Sequence, residues 1–457
     1  MIRYSTFLIL VFTFFNSNAS TIVDIRPLTN EILVVHFDEG SINHAKNGSF
    51  YQSAVANANP LNTNLAVNLN SYSIQSNEDE HYALGKSPVN INRKSKPTDI
   101  AFLCEGWELL PEYDVFGCKN SSLDHAKEHW LYLYLSQPLK NGITYRISVN
   151  EGLSSQTEFE IEYNETVLRS DAIHINNIGY STRATAKYAY VYHWLGDGGS
   201  IDLTPHENAL FEIIDINDQQ VVYTGNLAFR ADPLIQETFQ ENAQETPNQN
   251  FNGSYVYECD FSDLNREGTY VLVIEGIGSS YTFEIACDVF NEPFKWVMRG
   301  IYNNRSGISI PASEFGAERP APHNPERTPG FSGKLKYTST TVCEVSDSDA
   351  SIEDSLRWVN NIKGELNSWG WYQDAGDWDA YIEHFKVPSI LMFTYEHFNE
   401  NFHDGQLSIM ENQNGIPDIL DEARWLIRFY KRLKDETESK AWTTGGVPGG
   451  RIFPDLF

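Results

Sequence analysis

The segment Leu264-Asn-Arg-Glu-Gly-Thr-Tyr-Val-Leu-Val-Ile274 is the most informative about the fold of the first part of the chain. A turn precedes alternating apolar residues, the pattern of a strand with one buried face. An earlier segment, Leu139-Lys-Asn-Gly-Ile-Thr-Tyr-Arg-Ile-Ser-Val149, repeats the turn, the strand and the Thr-Tyr pair. This internal repeat predicts two tandem β-sandwiches of immunoglobulin type, over residues 20–165 and 170–287. A single larger β domain is the alternative, and the linker-like stretch 162–169 favours two.

Short alternating apolar runs separated by turn residues fill both regions. Such runs are typical of strands with one face in a core. The clearest predicted strands are 32–37, 130–135, 186–193, 210–216, 221–224 and 270–274.

After residue 287 the apolar residues recur at helical spacing, which predicts an all-α part over 288–457. Pro388 fits the first turn of one helix. The clearest helix opens at Pro417, where Asp418, Asp421 and Glu422 complement the helix dipole.

The composition excludes several classes of partner. The chain has 457 residues, enough for about three domains, and 41% of them are hydrophobic. Its 62 acidic and 33 basic residues give a formal net charge of −29. Phosphates would repel that charge, so nucleic acid and anionic membrane surfaces are not expected partners. A neutral polysaccharide remains compatible.

The N-terminus has the pattern of a secretory signal peptide, residues 1–19. Arg3 is followed by an apolar run over 7–15, too short to span a bilayer, and by small residues before Ser20. We therefore expect export to the extracellular space or the periplasm; a membrane anchor is the alternative. Export permits disulfides, and Cys104 with Cys118 is the favoured pair, with buried free thiols as the alternative.

The stretch Gly370-Trp-Tyr-Gln-Asp-Ala-Gly-Asp-Trp-Asp-Ala-Tyr381 carries the candidate chemistry. Asp374 and Asp377 lie three residues apart around a glycine, which lets the backbone bend so that both carboxylates reach one pocket. Trp371, Tyr372 and Trp378 lie beside them. Paired acids next to aromatic faces suit the cleavage of sugars. An acidic turn that caps a helix beside core aromatics is the alternative.

Four segments together resemble glycoside hydrolase family 9, the cellulase family with an N-terminal immunoglobulin-like domain and an (α/α)6 barrel. They are Ile173-His-Ile-Asn-Asn-Ile-Gly-Tyr180, Arg305-Ser-Gly with Arg319-Pro-Ala-Pro-His323, Gly370 to Asp377, and Asn414-Gly-Ile-Pro-Asp-Ile-Leu-Asp-Glu-Ala-Arg424. Pro322 replaces the cysteine usual in the second of these. The region before residue 165 resembles the extra sandwich ahead of some members.

The resemblance implies roles for individual residues. Asp377 would be the general base and Asp374 its partner in holding the water, with Trp371, Tyr372, Trp378 and His323 as substrate-binding residues. The reaction would be inverting hydrolysis of β-1,4-glucan, as in a secreted endoglucanase. Another β-glycan as substrate, and a non-catalytic glycan-binding or scaffold protein, are the alternatives.

The general acid of the family is a late glutamate, and no residue of this chain matches it. Residues 288–457 suffice for six or seven helices at typical length, whereas the barrel has twelve. The expectation is therefore a chain that ends inside the catalytic domain, lacks the acid and hydrolyses cellulose poorly. No cofactor is expected to be required. Calcium binding is an open alternative for the acidic loop 346–349, which lacks a ligand pattern.

Overall fold

The computed structural model describes residues 21–39, 41–44, 53–56, 68–78, 80–82, 89–103, 106–110, 115–119, 122–239, 244–245, 248, 250–312, 319, 321, 324, 335–338, 362–373, 382–442 and 452–453. The chain divides into two compact units, 1–289 and 290–457. The first unit contains two β regions: the first β region is residues 21–163 and the second β region is residues 170–287.

The described secondary structure of the first unit is almost entirely β. The first β region contains β1 Thr21–Thr29, β2 Ile32–Glu39, β3 Ser41–His44, β4 Ser53–Ala56, β5 Tyr72–Ser76, β6 His81–Tyr82, β7 Val89–Leu103, β8 Gly106–Leu110, β9 Val115–Lys119, β10 Ser122–Tyr134, β11 Thr144–Val149 and β12 Glu158–Glu162. The second contains β13 Ile173–His174, β14 Tyr180–Ser181, β15 Tyr188–Val191, β16 Leu210–Asp215, β17 Val221–Asn226, β18 Ala228–Ala231, β19 Thr238–Phe239, β20 Gln244–Glu245, β21 Val256–Asp260, β22 Gly268–Ile274, β23 Gly278–Ser279 and β24 Phe283–Ala286.

Each β region contains two main sheets over a core. In the first region the sheet orders are β1-β2-β10-β7 and β12-β11-β5-β6. In the second they are β13-β15-β21-β18 and β14-β24-β22-β16-β17, with β23 paired to β22. The alternation in the sequence explains the cores, since Leu33, Val35 and Phe37 of β2 point to one side and are fully buried.

The internal repeat reappears as two equivalent tyrosines. The Tyr145 hydroxyl of β11 accepts a hydrogen bond from the backbone N–H of Lys140 at 2.8 Å. The Tyr270 hydroxyl of β22 donates to the carbonyl of Arg266 at 2.9 Å. Gly268 is required there, because a Cβ would lie 2.6 Å from the Tyr270 hydroxyl. A tyrosine bonded to backbone a few residues upstream is typical of immunoglobulin-like sandwiches.

The strands predicted from the pattern are present with shifted bounds. The strand expected over 186–193 is limited to β15; just before it, the backbone N–H of Lys187 donates to the Ser262 hydroxyl instead of to a neighbouring strand. Cys259 and Cys287 are free thiols. The predicted Cys104–Cys118 pair lies outside the described residues.

The two β regions share apolar core. Ile32, Val34 and Tyr132 point away from the first region's core and join the buried cluster of the second, as does Leu28. The Ser170 hydroxyl also donates to the carbonyl of Leu28. Both faces of β2 are therefore buried. The two regions form one compact unit and are not separate domains joined only by a linker.

This shared core predicts that a polypeptide of residues 20–289 is soluble and melts in a single transition. Leu28 is fully buried, so Leu28→Ala should lower the free energy of unfolding by about 2–5 kcal/mol and keep the transition single. Calorimetry on both polypeptides checks this. Two separate transitions in the parent, or a disordered spectrum, would contradict the shared core.

A buried histidine at the junction predicts acid sensitivity. The Nε2 of His193 lies 2.7 Å from the Tyr132 hydroxyl. Burial lowers the pKa of His193 from 6.5 to about 4. Asp171 opposes this shift by attracting the charged ring, whereas His174 and Arg26 repel it and add to the shift. The neutral ring stabilises the folded state above pH 6.5, and this contribution, at most about 3 kcal/mol, is lost as the pH falls towards 4.

The control for that prediction is His193→Gln, which cannot titrate. The melting temperature of the parent 20–289 polypeptide should fall more steeply between pH 6.5 and 4.5 than that of the variant. Parallel pH profiles would show that His193 does not carry the effect.

The described part of the second unit combines helices with a three-stranded antiparallel sheet, so the prediction of an all-α part over 288–457 is only partly confirmed. Its elements are α1 Asn291–Asn303, β25 Leu335–Thr338, β26 Ile362–Leu366, α2 Lys386–Phe398, α3 Asp418–Ser439 and β27 Ile452–Phe453. As predicted, α3 starts directly after Pro417, and buried Asp418 accepts hydrogen bonds from the backbone N–H groups of Gly405 and Leu407. Its apolar face contributes Ile419, Leu426, Phe429 and Leu433 to the core of this unit. Among the described residues, no helix is long and apolar enough to cross a bilayer.

Candidate functional site

The predicted site residues divide into two groups. Trp371 and Tyr372 are described, and both are buried, at 0% and 3% exposure. Asp374, Asp377, Trp378 and His323 lie outside the described residues. The structure therefore shows how the chain arrives at the Asp-Ala-Gly-Asp motif, through residues 367–373, which we call the anchored segment.

One end of the anchored segment is bound by a carboxylate of α3. Glu436 accepts hydrogen bonds from the backbone N–H groups of Asn367 and Ser368 at 2.8 and 2.9 Å, and from the Ser368 hydroxyl at 2.7 Å. One turn earlier on α3, Arg432 donates to the carbonyl of Trp369 at 2.6 Å. These charged side chains therefore provide the hydrogen-bond partners that backbone N–H and carbonyl groups of the segment need. In a sheet, neighbouring strands provide such partners.

The other end is bound by residues nearer the start of α3. The indole N–H of Trp425 donates to the carbonyl of Trp371 at 3.3 Å, and the Trp371 ring packs edge-on against Phe429 at 5.0 Å. The Tyr372 hydroxyl donates to Oε1 of Glu422 at 2.6 Å. Positions 422, 425, 429, 432 and 436 are three or four apart and form one helical face, so α3 binds the anchored segment along its length, in antiparallel order.

A second strip of backbone binds the anchored segment from another side. Ser306 N–H donates to the Trp371 carbonyl and Gln373 N–H donates to the Asn304 carbonyl, each at 2.8 Å. Arg319, from the loop that carries the family-like motif, donates to the carbonyl of Arg305 at 2.7 Å. Gln373, the last described residue before Asp374, is therefore fixed by the hydrogen bond that its backbone N–H donates.

Behind this segment lies a buried charge cluster centred on Arg305. Its guanidinium donates to Glu422 at 3.1 Å and to both oxygens of Glu411 at 2.8 and 3.0 Å. The guanidinium carbon lies 4.8 Å from the ring centroid of Tyr302 and 4.5 Å from that of Trp425, within cation–π range. Arg305 and Glu422 are both fully buried, so each depends on the other for its charge.

Two polar atoms of this cluster, Nη2 of Arg305 and Oε2 of Glu422, have no hydrogen-bond partner within the described part of the chain. Burial raises the pKa of the Glu422 carboxyl, against the lowering effects of Arg305 and Tyr372. Burial and the neighbouring Glu422 raise the pKa of the Tyr372 hydroxyl, which stays a hydrogen-bond donor.

The sugar-binding roles of Trp371 and Tyr372 stay a prediction. In the structure the Trp371 ring packs against Phe429, and the Tyr372 hydroxyl donates to Glu422. The prediction missed Arg432 and Glu436 as anchors of the segment. The signal available was their placement on α3 at helical spacing from Glu422.

The described residues contain no group of three or more His, Cys, Asp or Glu side chains that could hold a metal ion. The acidic loop 346–349 lies outside the described residues.

Comparison with known proteins identifies one domain and several partial relatives. Residues 169–279 match the model of the cellulase N-terminal ig-like domain. Endoglucanase D of Acetivibrio thermocellus is 30% identical over 218 residues, which cover 48% of this chain and 28% of that protein. Cellulose 1,4-beta-cellobiosidase of the same organism is 29% identical over 286 residues, 59% of this chain and 28% of that protein.

A solved structure of a metagenome-derived glycoside hydrolase family 9 endoglucanase is 26% identical, with a TM-score of 0.40 over 57% of this chain and 40% of that one. The matches to the two Acetivibrio proteins span under a third of their lengths. Residues 169–279 therefore match the immunoglobulin-like domain of cellulases, and the chain is similar to endoglucanases over part of their length.

Proposed function

We propose that this protein is a secreted, inverting glycoside hydrolase that cleaves β-1,4-glucan. In this proposal residues 1–19 are the signal peptide, 20–165 and 170–287 are two immunoglobulin-like sandwiches, and 288–457 belong to an (α/α)6 catalytic domain. The paired tyrosines Tyr145 and Tyr270 support the two sandwiches. The endoglucanase and cellobiosidase relatives support the reaction and the substrate.

The observation that carries the proposal is the fixation of the anchored segment. Gln373 is bound through its backbone to Asn304, and Tyr372 through its hydroxyl to Glu422. Asp374 follows directly in the chain and Asp377 three residues later. Catalytic carboxylates need such support, because small misplacements cost large factors in rate.

The chemistry assigned to the pair follows from inverting hydrolysis. Asp377 takes a proton from the water that attacks the anomeric carbon, and Asp374 orients that water. A carboxylic acid on the other side of the sugar, roughly 6.5–9.5 Å from the base, protonates the leaving oxygen.

Neither described glutamate of the charge cluster is assigned as this acid. Glu422 is fully buried, and Glu411 is bound to Arg305 through both oxygens. A general acid has to reach the leaving oxygen and release its proton there. Both carboxylates are instead committed to the Arg305 guanidinium.

The test is turnover by the full gene product on soluble cellulose derivatives, mixed-linkage β-glucan, xyloglucan and xylan. New reducing ends from a β-1,4-glucan are the expected result, and the substrate ranking identifies the glycan. Affinity for these glycans without any new reducing ends would favour the glycan-binding alternative and overturn the proposal.

A further inference from the structure

Tyr372 is the last aromatic residue before the two aspartates, and its hydroxyl is bonded inwards. It donates to Oε1 of Glu422 at 2.6 Å and lies 3.1 Å from the Glu422 carbonyl. Glu422 is held in turn by Arg305 at 3.1 Å. The chain Arg305–Glu422–Tyr372 therefore runs from the buried charge cluster to the residue two positions before Asp374.

Backbone hydrogen bonds on either side of Arg305 and Tyr372 connect this chain of side-chain bonds to the anchored segment. Ser306, next to Arg305, donates to the carbonyl of Trp371, and Gln373, next to Tyr372, donates to Asn304. Arg305 and Tyr372 also form an antiparallel bridge. A shift of the backbone at Tyr372 would thus disturb the hydrogen bond from Gln373 to Asn304.

We propose that Tyr372, through its hydrogen bond to Glu422, is a positioning residue that fixes the backbone of Gln373, which directly precedes Asp374 in the sequence. The inference rests on the proposed function for its catalytic consequence. The positioning itself is a statement about the backbone of Gln373 and is measurable without substrate. Glu422 has no contact with substrate in this scheme; it holds Tyr372.

Tyr372→Phe removes one hydroxyl and keeps the buried ring, so the fold should survive. Without that bond the kcat of the full gene product on soluble β-glucan should fall roughly tenfold to a hundredfold, with KM nearly unchanged, because binding groups are untouched and the base is misplaced. Hydrogen exchange at the Gln373 amide should become about tenfold faster, the loss of one charge-assisted bond.

Tyr430→Phe is the matched control. Tyr430 lies on α3, is buried at 5% exposure, and its hydroxyl has no hydrogen-bond partner among the residues that the structure describes. Its ring stacks on Phe385 at 4.3 Å, a contact that phenylalanine keeps. This variant should match the parent in kcat and in exchange at Gln373.

The outcomes separate the two claims. Equal kcat and equal Gln373 exchange in the Tyr372→Phe and Tyr430→Phe variants would overturn the positioning role. A parent protein without turnover would overturn the proposed function, and the exchange comparison would still decide whether Tyr372 fixes the segment. Faster exchange together with a fall in kcat supports both.

Discussion

Asp377→Ala is expected to abolish turnover of β-glucan by the full gene product while leaving glycan affinity nearly intact. The carboxylate removed is the one assigned to take the proton of the attacking water. General base catalysis is worth roughly 10²–10⁴-fold, and a water without its base also loses its orientation. Reducing-end assays and affinity electrophoresis on the same preparation measure the two quantities.

Azide provides the positive evidence for that assignment. It is a nucleophile that needs no deprotonation, so it should partly restore reaction in the Asp377→Ala variant and give an α-glycosyl azide. Asp374→Ala should lose less, since a misplaced water still meets a base. Asp379→Ala, two residues further along the same stretch, is the control and should keep most of the activity. Near-normal turnover in Asp377→Ala would refute the base assignment.

The second large effect is on stability. Arg305→Met should lower the free energy of unfolding of the second unit by about 3–5 kcal/mol, because it leaves the buried Glu422 without its cation. Arg305 is fully buried, as is Glu422. Denaturant unfolding followed by hydrogen exchange at the amides of α3 reports on this unit, since α3 contributes Ile419, Leu426 and Leu433 to its apolar core.

A double variant distinguishes lost charge pairing from lost volume. Arg305→Met combined with Glu422→Gln should be less destabilised than the sum of the single variants, because the fully buried position 422 then carries no uncompensated charge. Lys431→Met removes an exposed cation that pairs with Asp435 on the surface of α3, and should change stability by less than about 1 kcal/mol. Additive single effects would contradict a coupled buried pair.

Much of the fold was predictable because its patterns are local. Alternating apolar residues predicted β2 and β22, and the acidic residues after Pro417 predicted the start of α3. The repeated Thr-Tyr strands predicted Tyr145 and Tyr270 as equivalent positions, and both bond to upstream backbone. Each of these features depends on residues close together in the chain.

Long-range packing was less predictable. The alternation in β2 identifies two faces, but not that Ile32 and Val34 would join the core of another region. The same limit applies to the site. A tyrosine beside paired acids can bind a sugar ring or pack in a core, and the sequence does not show that the Tyr372 hydroxyl bonds to Glu422, fifty residues away. The family resemblance, by contrast, identified the segments around Arg305, Gln373 and Glu422 that the fold brings together.

The stereochemistry of hydrolysis is the sharpest test of the proposed inverting reaction with Asp377 as its base. Proton NMR can follow the anomeric signals of a short β-1,4-gluco-oligosaccharide during its first minutes with the full gene product, before mutarotation equilibrates them. A base at Asp377 that delivers water to the face opposite the leaving group predicts that the α-anomer appears first. Initial release of the β-anomer would show retention through a covalent intermediate and contradict the account.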